Sequence, residues 1–196
     1  MMKNNQQGRI TAKVVIILVV LAIGSAWFAV KTHRENQMNT MMSQISSLGA
    51  TVGKQQKNAM KIVHSYNKNY ALYLSKTNNL PSGLAYVNDV IPTENNAKIK
   101  ANVDTNGVVI FEITNIDAKS CVKIVTTDFG MLQTTRFVGV GIGQKPDFGC
   151  LAQHSCKFNY IAAFSGTSDY PFAEYRAEVP CALEKPATVY LGYKLY

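Results

Sequence analysis

The chain has 196 residues, of which 47% are hydrophobic and 16% are charged. This apolar share excludes a chain that is disordered throughout. The net charge of +8 lies entirely in residues 1–74, which carry nine Lys or Arg and one acid, whereas residues 75–196 are neutral. The basic character therefore belongs to the N-terminal part, and nucleic acid is not an expected partner of the remainder.

Residues Val14–Val30 form an uncharged apolar run of 17 residues. At about 1.5 Å per residue a helix over this run spans roughly 25 Å, which is close to the hydrocarbon thickness of a bilayer. Because it is the only such run, the sequence excludes a polytopic membrane protein. Lys3, Arg9 and Lys13 precede it without an acid. The positive-inside rule then predicts a cytoplasmic N-terminus and an exported remainder.

Three interpretations of this N-terminal segment compete. It is a cleaved secretory signal with a site near Gly24-Ser25-Ala26, a simple membrane anchor, or a short basic leader followed by a helix that is retained. An amphipathic stripe continues beyond the run at three- and four-residue steps, which favours a retained helix and an assembly role for residues 14–52. Two glycines in this stretch, Gly49 and Gly53, predict a kink or a melted turn. The stripe consists of Met38, Met41, Ile45, Leu48, Val52, Ala59, Ile62, Tyr66 and Tyr73.

The rest of the chain predicts an antiparallel sheet with one small helix inserted. Alternating and β-branched runs indicate strands, and Asp104-Thr105-Asn106-Gly107 indicates a hairpin turn between the first two. The sheet needs a cover, and the C-terminal half of the long helix is the available one. The fold class is thus α+β. Predicted strands are Ile99–Val103, Val108–Thr114, Thr134–Ile142, Phe158–Phe164 and Thr188–Tyr196; the helix is Ala118–Thr126 with Asp117 as its cap; residues 75–97, 145–156 and 165–187 read as loops or irregular segments.

Four cysteines follow the apolar run, at positions 121, 150, 156 and 181. An even number on the exported side of a chain suggests two disulfides, for which three pairings are possible. We favour Cys121–Cys181 with Cys150–Cys156, because the second pair closes a short Gly-containing loop. A zinc site from Cys150, His154 and Cys156 has a spacing that matches no common structural site. We therefore expect neither a metal nor a cofactor.

Catalytic motifs are not apparent. The sequence has no G-x-S-x-G, and Gly139, Gly141 and Gly143 do not form the G-x-G-x-x-G of a dinucleotide site. The expectation is a protein that is not an enzyme. The segment that carries Lys54, Lys57, Lys61 and Lys68 without acids is interpreted as a solvated face, with contact to anionic lipid heads, an acidic neighbouring subunit or DNA phosphates as the alternatives.

Two stretches resemble the type IV pilins, and more closely the type IVb branch of toxin-coregulated and conjugative thin-pilus pilins. The first is the leader MMKNNQQG with the apolar helix behind it, and the second is VVIFEITNIDAKSCVKIVTTDFG, residues 108–130. The resemblance implies cleavage after Gly8, so that Arg9 begins the mature chain. It also implies a leader over residues 1–8, a filament-forming helix over 9–52, and a head over 53–196 with a disulfide-bounded region 121–181.

The resemblance further implies a structural subunit that polymerises through its N-terminal helix and presents a head for adhesion, aggregation or conjugation. Its partners would be other pilin subunits, prepilin peptidase and the pilus assembly platform. It would lie in the inner membrane before assembly, and then in an extracellular pilus. The residues assigned to assembly are Lys13, Val14, Ile17, Leu21, Gly24 and Val52.

The chain departs from the family at the fifth position after the predicted cleavage site. The family carries Glu there, whereas this chain has Lys13. A Lys cannot offset the N-terminal amine of a neighbouring subunit in an apolar bundle, which favours a minor subunit over a major one. Alternatives are a single-span anchored periplasmic binding domain and a type II secretion pseudopilin.

Overall fold

The computed structural model describes residues 5–129, 136–153, 162–165 and 170–196, with side chains from residue 15 onward except at 151–153. The chain divides into two compact units, Met1–Asn39 and Thr40–Tyr196. We call the second unit the head. The boundary predicted between residues 52 and 53 falls inside it.

The first unit consists of the beginning of a long helix, α1 (Asn5–Lys54). Its most apolar 18-residue window has a mean hydropathy of 2.2 and is not buried inside the protein. The hydroxyls of Ser25 and Thr32 donate to the carbonyls of Ala22 and Phe28, both at 3.0 Å, so these polar groups are satisfied within the helix. By length and composition the helix is suited to a membrane anchor, and a signal sequence meets the same criteria.

Of the kink or melted turn predicted at Gly49 and Gly53, the helix shows no break at Gly49, but it ends next to Gly53. Helix α1 continues through Gly49 and ends at Lys54, one residue after Gly53. A 3-10 turn (Gln56–Asn58) and two short helices follow, so the predicted stripe is divided into separate pieces. These helices are α2 (Ala59–Ser65) and α3 (Tyr70–Lys76).

The predicted antiparallel sheet is confirmed. In the part of the chain that is described it has six strands in the order β1-β2-β3-β6-β4-β5, and every pairing is antiparallel. The predicted helix after the second long strand is also present, as α4. The strands are β1 (Ile91–Pro92), β2 (Lys98–Val103), β3 (Val108–Ile116), β4 (Phe137–Ile142), β5 (Ala162–Phe164) and β6 (Ala187–Lys194), and α4 is Ala118–Val125.

Local signals in the sequence account for two of these elements. In the β2–β3 turn one carboxylate oxygen of Asp104 accepts from the backbone N–H groups of Asn106 and Val108, both at 2.8 Å, and Gly107 has a φ of 71°. Asp117 accepts from the N–H of Ser120 at 2.7 Å and so caps α4. Both predictions are confirmed.

Two segments predicted to be irregular contain helices. Residues 165–187 include α5 (Glu174–Leu183), and residues 145–156 include a 3-10 helix (Phe148–Gln153). Tertiary packing against α4 supports α5 although Pro180 lies inside it. Parts of two predicted strands, at 134–135 and 158–161, lie outside the described residues.

One face of the sheet packs against the C-terminal part of α1. On β6, Val189, Leu191 and Tyr193 are fully buried, as the predicted alternation requires. A Cβ placed on Gly49 would lie 2.6 Å from the ring of Tyr193, closer than real Cβ contacts come. Gly49 therefore permits the close approach of helix and sheet.

A continuous row of aromatic rings runs through the head from the residue directly after α2 to the segment before α5. Neighbouring ring centroids are 4.8 to 6.5 Å apart, within the range of favourable stacked, tilted and edge contacts. Because the row crosses β3, β6 and β4, it links the helical cover to the centre of the sheet. Its members are Tyr66, Tyr73, Tyr70, Phe111, Tyr193, Phe137 and Tyr170.

The other face of the sheet carries a smaller buried cluster, so the sheet has buried apolar residues on both faces. The cluster includes the ring of Phe148 from the 3-10 helix, which packs over the sheet. A Cβ on Gly192 would lie 2.7 Å from this ring, so the glycine makes room for it. The buried members are Val108, Ile110, Val138, Phe148, Cys150, Ala162 and Phe164.

We expect Gly49→Ala to lower the free energy of unfolding of the head by about 1–2 kcal/mol. The added methyl group would lie 2.6 Å from the fully buried Tyr193 ring, so the cost lies in the upper part of the overpacking range, about 2–3 kcal/mol, and exceeds the ~1 kcal/mol that Ala gains in a helix. Chemical denaturation of the full chain in detergent measures the change. Gly24→Ala is the matched control, because no atom lies within 4 Å of its Cβ position. An unchanged or raised stability for Gly49→Ala would contradict the packing argument.

Stability should fall as pH rises above about 10. Burial raises the pKa of Tyr193 above its usual 10.0, and it does the same for Tyr70. Between the unfolded and folded pKa values only the unfolded state ionises, so the stability present below pH 10 is lost at higher pH. The Tyr193 hydroxyl has no hydrogen-bond partner among the described residues. Tyr193→Phe should therefore stabilise the head at pH 7 by about 1 kcal/mol. It should also reduce the loss of stability that occurs as the pH rises above 10.

Denaturation curves between pH 7 and 11 provide the measurement for this prediction. Tyr196→Phe is the control, because Tyr196 is 47% exposed. If the stability of Tyr193→Phe falls as steeply above pH 10 as that of the unaltered protein, ionisation of this hydroxyl does not contribute to the loss of stability.

Candidate assembly surfaces

The exposed apolar surface of the first unit is the largest in the described chain. Between Val15 and Val30, the exposed large aliphatic and aromatic side chains each have 51% to 66% of their surface accessible to solvent. Exposed patches of this extent mark a surface that contacts lipid or protein. The length of the patch and its lack of charge favour a bilayer or a bundle of apolar helices.

The predicted assembly residues do not all lie on this surface. Ile17, Leu21 and Gly24 are exposed and share one helix face by their spacing. Val52 is fully buried in the head, so it belongs to the head core rather than to an exposed surface.

Residues 5–14, which include the end of the predicted leader and the start of the apolar run, lie in α1, but their side chains lie outside the described residues. This applies to Gly8 and Arg9 at the predicted cleavage site, and to Lys13 and Val14.

The predicted disulfide between Cys121 and Cys181 is present. It joins α4 to α5 with a Cα–Cα distance of 5.7 Å, and both residues are fully buried. Cys150 is also disulfide-bonded. Its predicted partner, Cys156, lies outside the described residues.

Helix α5 presents an apolar face that the sequence analysis missed. Tyr175, Val179 and Leu183 are 75%, 64% and 80% exposed, and their four-residue spacing places them on one side of the helix. Ala177 and Cys181 are buried on the other side. The spacing was visible in the sequence, but the surrounding prolines favoured an irregular segment.

The basic segment of the head is solvent-exposed. Lys54, Lys57, Lys61 and Lys68 are all exposed, as the interpretation of a solvated face requires. Met60 lies among them with 73% of its surface accessible.

No family model, curated protein or solved structure matches this chain. The comparison with type IV pilins therefore rests on the leader, the long helix and the stretch 108–130.

Cys181→Ser should destabilise the head by about 4 kcal/mol. The disulfide closes a separation of 60 residues, and the chain-entropy estimate grows with loop length. Denaturation of the oxidised chain measures the effect. Cys156→Ser is the comparison, since on the predicted pairing it opens a loop of only about seven residues and costs roughly 2.5 kcal/mol. Equal losses for the two variants would contradict the loop-length argument.

Proposed function

We propose that the protein is a structural subunit of a type IV pilus of the IVb kind, and that it is not an enzyme. The observation that carries the proposal is the combination of an unburied apolar N-terminal helix with a disulfide-tied α+β head. In this proposal the helix holds the subunit in the inner membrane with its N-terminus in the cytoplasm. It later packs against equivalent helices in an extracellular filament.

Packing of side chains holds the proposed bundle together. A helix that moves from lipid into a bundle gains little from the hydrophobic effect, because lipid tails are as apolar as its own side chains. Close van der Waals contact at Ile17, Leu21 and Gly24 supplies the gain instead. In the head, the apolar face of Tyr175, Val179 and Leu183 offers a contact to a neighbouring subunit. Burying these three exposed side chains removes apolar surface from water, which is favourable.

Lys13 favours assembly with a different subunit. The first 34 residues contain no acid, so neighbouring copies of this chain bring cations together at the start of the helix. An unpaired charge in an apolar bundle is costly. A subunit with Glu near its own N-terminus would pair with Lys13. We therefore propose a minor subunit that enters filaments built by a Glu-bearing pilin.

We expect the unaltered protein to form no long filaments in cells that lack any other pilin, and Lys13→Glu to shift it towards self-assembly. The substitution replaces a repelled charge by one that pairs with the mature N-terminal amine of a neighbour. Electron microscopy and sheared-pilus yield measure the result. Lys31→Glu is the matched control, because it makes the same change of charge at the other end of the apolar run. Long pili from the unaltered protein alone would contradict hetero-assembly.

The N-terminal sequence and mass of the protein purified from membranes distinguish the proposed function from its alternatives. A chain that begins at Arg9 is expected for a processed pilin subunit. A chain that begins at Met1 or Met2 indicates a permanently anchored domain, and one that begins at Trp27 indicates a secretory signal. Either of these outcomes would overturn the proposal.

A further inference from the structure

An open cleft of about 500 Å³ lies on the face of the sheet opposite α1. Its floor is apolar and comes from β3, β4 and the 3-10 helix, through Val108, Val138 and Phe148. Its lining also includes two exposed cationic residues, Arg136 and Lys194. A volume of this size is within the range of small-molecule sites.

The two cationic residues occupy opposite positions on neighbouring strands. Phe137 pairs with Tyr193 across β4 and β6, and the next residues outward are Arg136 and Lys194. The N–H of Lys194 donates to the carbonyl of Arg136 at 2.7 Å, which fixes the two residues side by side. Like charges directly opposite each other on neighbouring strands are destabilising. An anion in the cleft would remove this cost.

Among the described residues, the side-chain contact made by these two cationic residues is a hydrogen bond to a neutral group. One guanidinium nitrogen of Arg136, Nη2, donates to the neutral Oε1 of Gln56 at 2.8 Å. Within the described ranges no ion pair to Arg136 or Lys194 is present, and both side chains are exposed. Several N–H donors thus remain for a ligand at the rim.

The remaining lining fits a ring-shaped polar molecule. The ring of Tyr196 is 47% exposed and packs directly over Gly107, where a side chain would collide with it. This contact holds the ring as one wall of the cleft. The amide of Asn106 and the hydroxyl of Ser165 lie on the rim and can exchange hydrogen bonds with hydroxyl groups.

We propose that the cleft binds an acidic saccharide, a sugar ring that carries a carboxylate or sulfate group. The anionic group lies between Arg136 and Lys194, where charge-assisted hydrogen bonds are strongest. The apolar face of the sugar packs on Tyr196, and its hydroxyls bond to Asn106 and Ser165. The assignment holds whether or not the chain assembles into a pilus, because it rests on the head alone.

Titration calorimetry on the full chain in nanodiscs tests this assignment. The probes are glucuronate and glucose 6-sulfate, with glucose and inorganic sulfate as the neutral and anion-only comparisons. We expect both acidic sugars to bind at least about tenfold more tightly than either comparison, and binding to weaken as salt is raised. Equal affinity for glucose would overturn the role of the two cations. Equal affinity for inorganic sulfate would overturn the role of the sugar ring.

Lys194→Gln distinguishes a binding role from a structural one. It should weaken binding of glucuronate at least about tenfold, while the melting temperature stays the same or rises because a like-charge contact is lost. Lys98→Gln, at an exposed lysine on β2, should change neither quantity. Tyr196→Leu should also weaken binding and leaves the two charges in place. Unchanged binding in Lys194→Gln, or a fall in its melting temperature, would overturn the assignment.

Discussion

The contact between the backbone of α1 at Gly49 and the ring of Tyr193 is the constraint on which the rest of the head depends. A larger residue at position 49 would hold the helix away from the sheet and expose the centre of the aromatic row. Tyr193 touches both Phe111 and Phe137, with centroids 5.5 and 5.3 Å away, so it links three neighbouring strands. Dense packing of this kind transmits a displacement at one position to its neighbours.

Strand β6 lies between β3 and β4 and contributes side chains to both faces of the sheet. Two consecutive residues on it have opposite surroundings. Tyr193 is fully buried against α1, and Lys194 reaches the rim of the cleft on the other face. Since alternate side chains of a strand point to opposite faces, the register that buries the aromatic row also sets the position of the lysine. The stability of the core and the geometry of the cleft are therefore coupled through one strand.

Features that depend on a few neighbouring residues were predictable from the sequence. The Asp104 turn, the Asp117 cap and the alternation along β6 each follow from local hydrogen bonding or from period-two burial. The ring of Tyr193 lies against Gly49 only because distant segments meet, so this contact could not be predicted from the residues around either position. Helix α5 was missed because Pro180 outweighed a four-residue apolar spacing. Arg136 and Lys194 are 58 positions apart in the chain, and only the strand order brings them together.

The disulfide between Cys121 on α4 and Cys181 on α5 also has a mechanical consequence. When a folded chain is pulled from its ends, each released residue lengthens it by at most about 3.3–3.6 Å. The 60-residue segment closed by Cys121 and Cys181 cannot lengthen in this way while the bond is intact. Roughly 200 Å of potential extension is thus withheld, and a reducing environment would restore it. Under tension, an oxidised head is therefore shorter and less extensible than its sequence length implies.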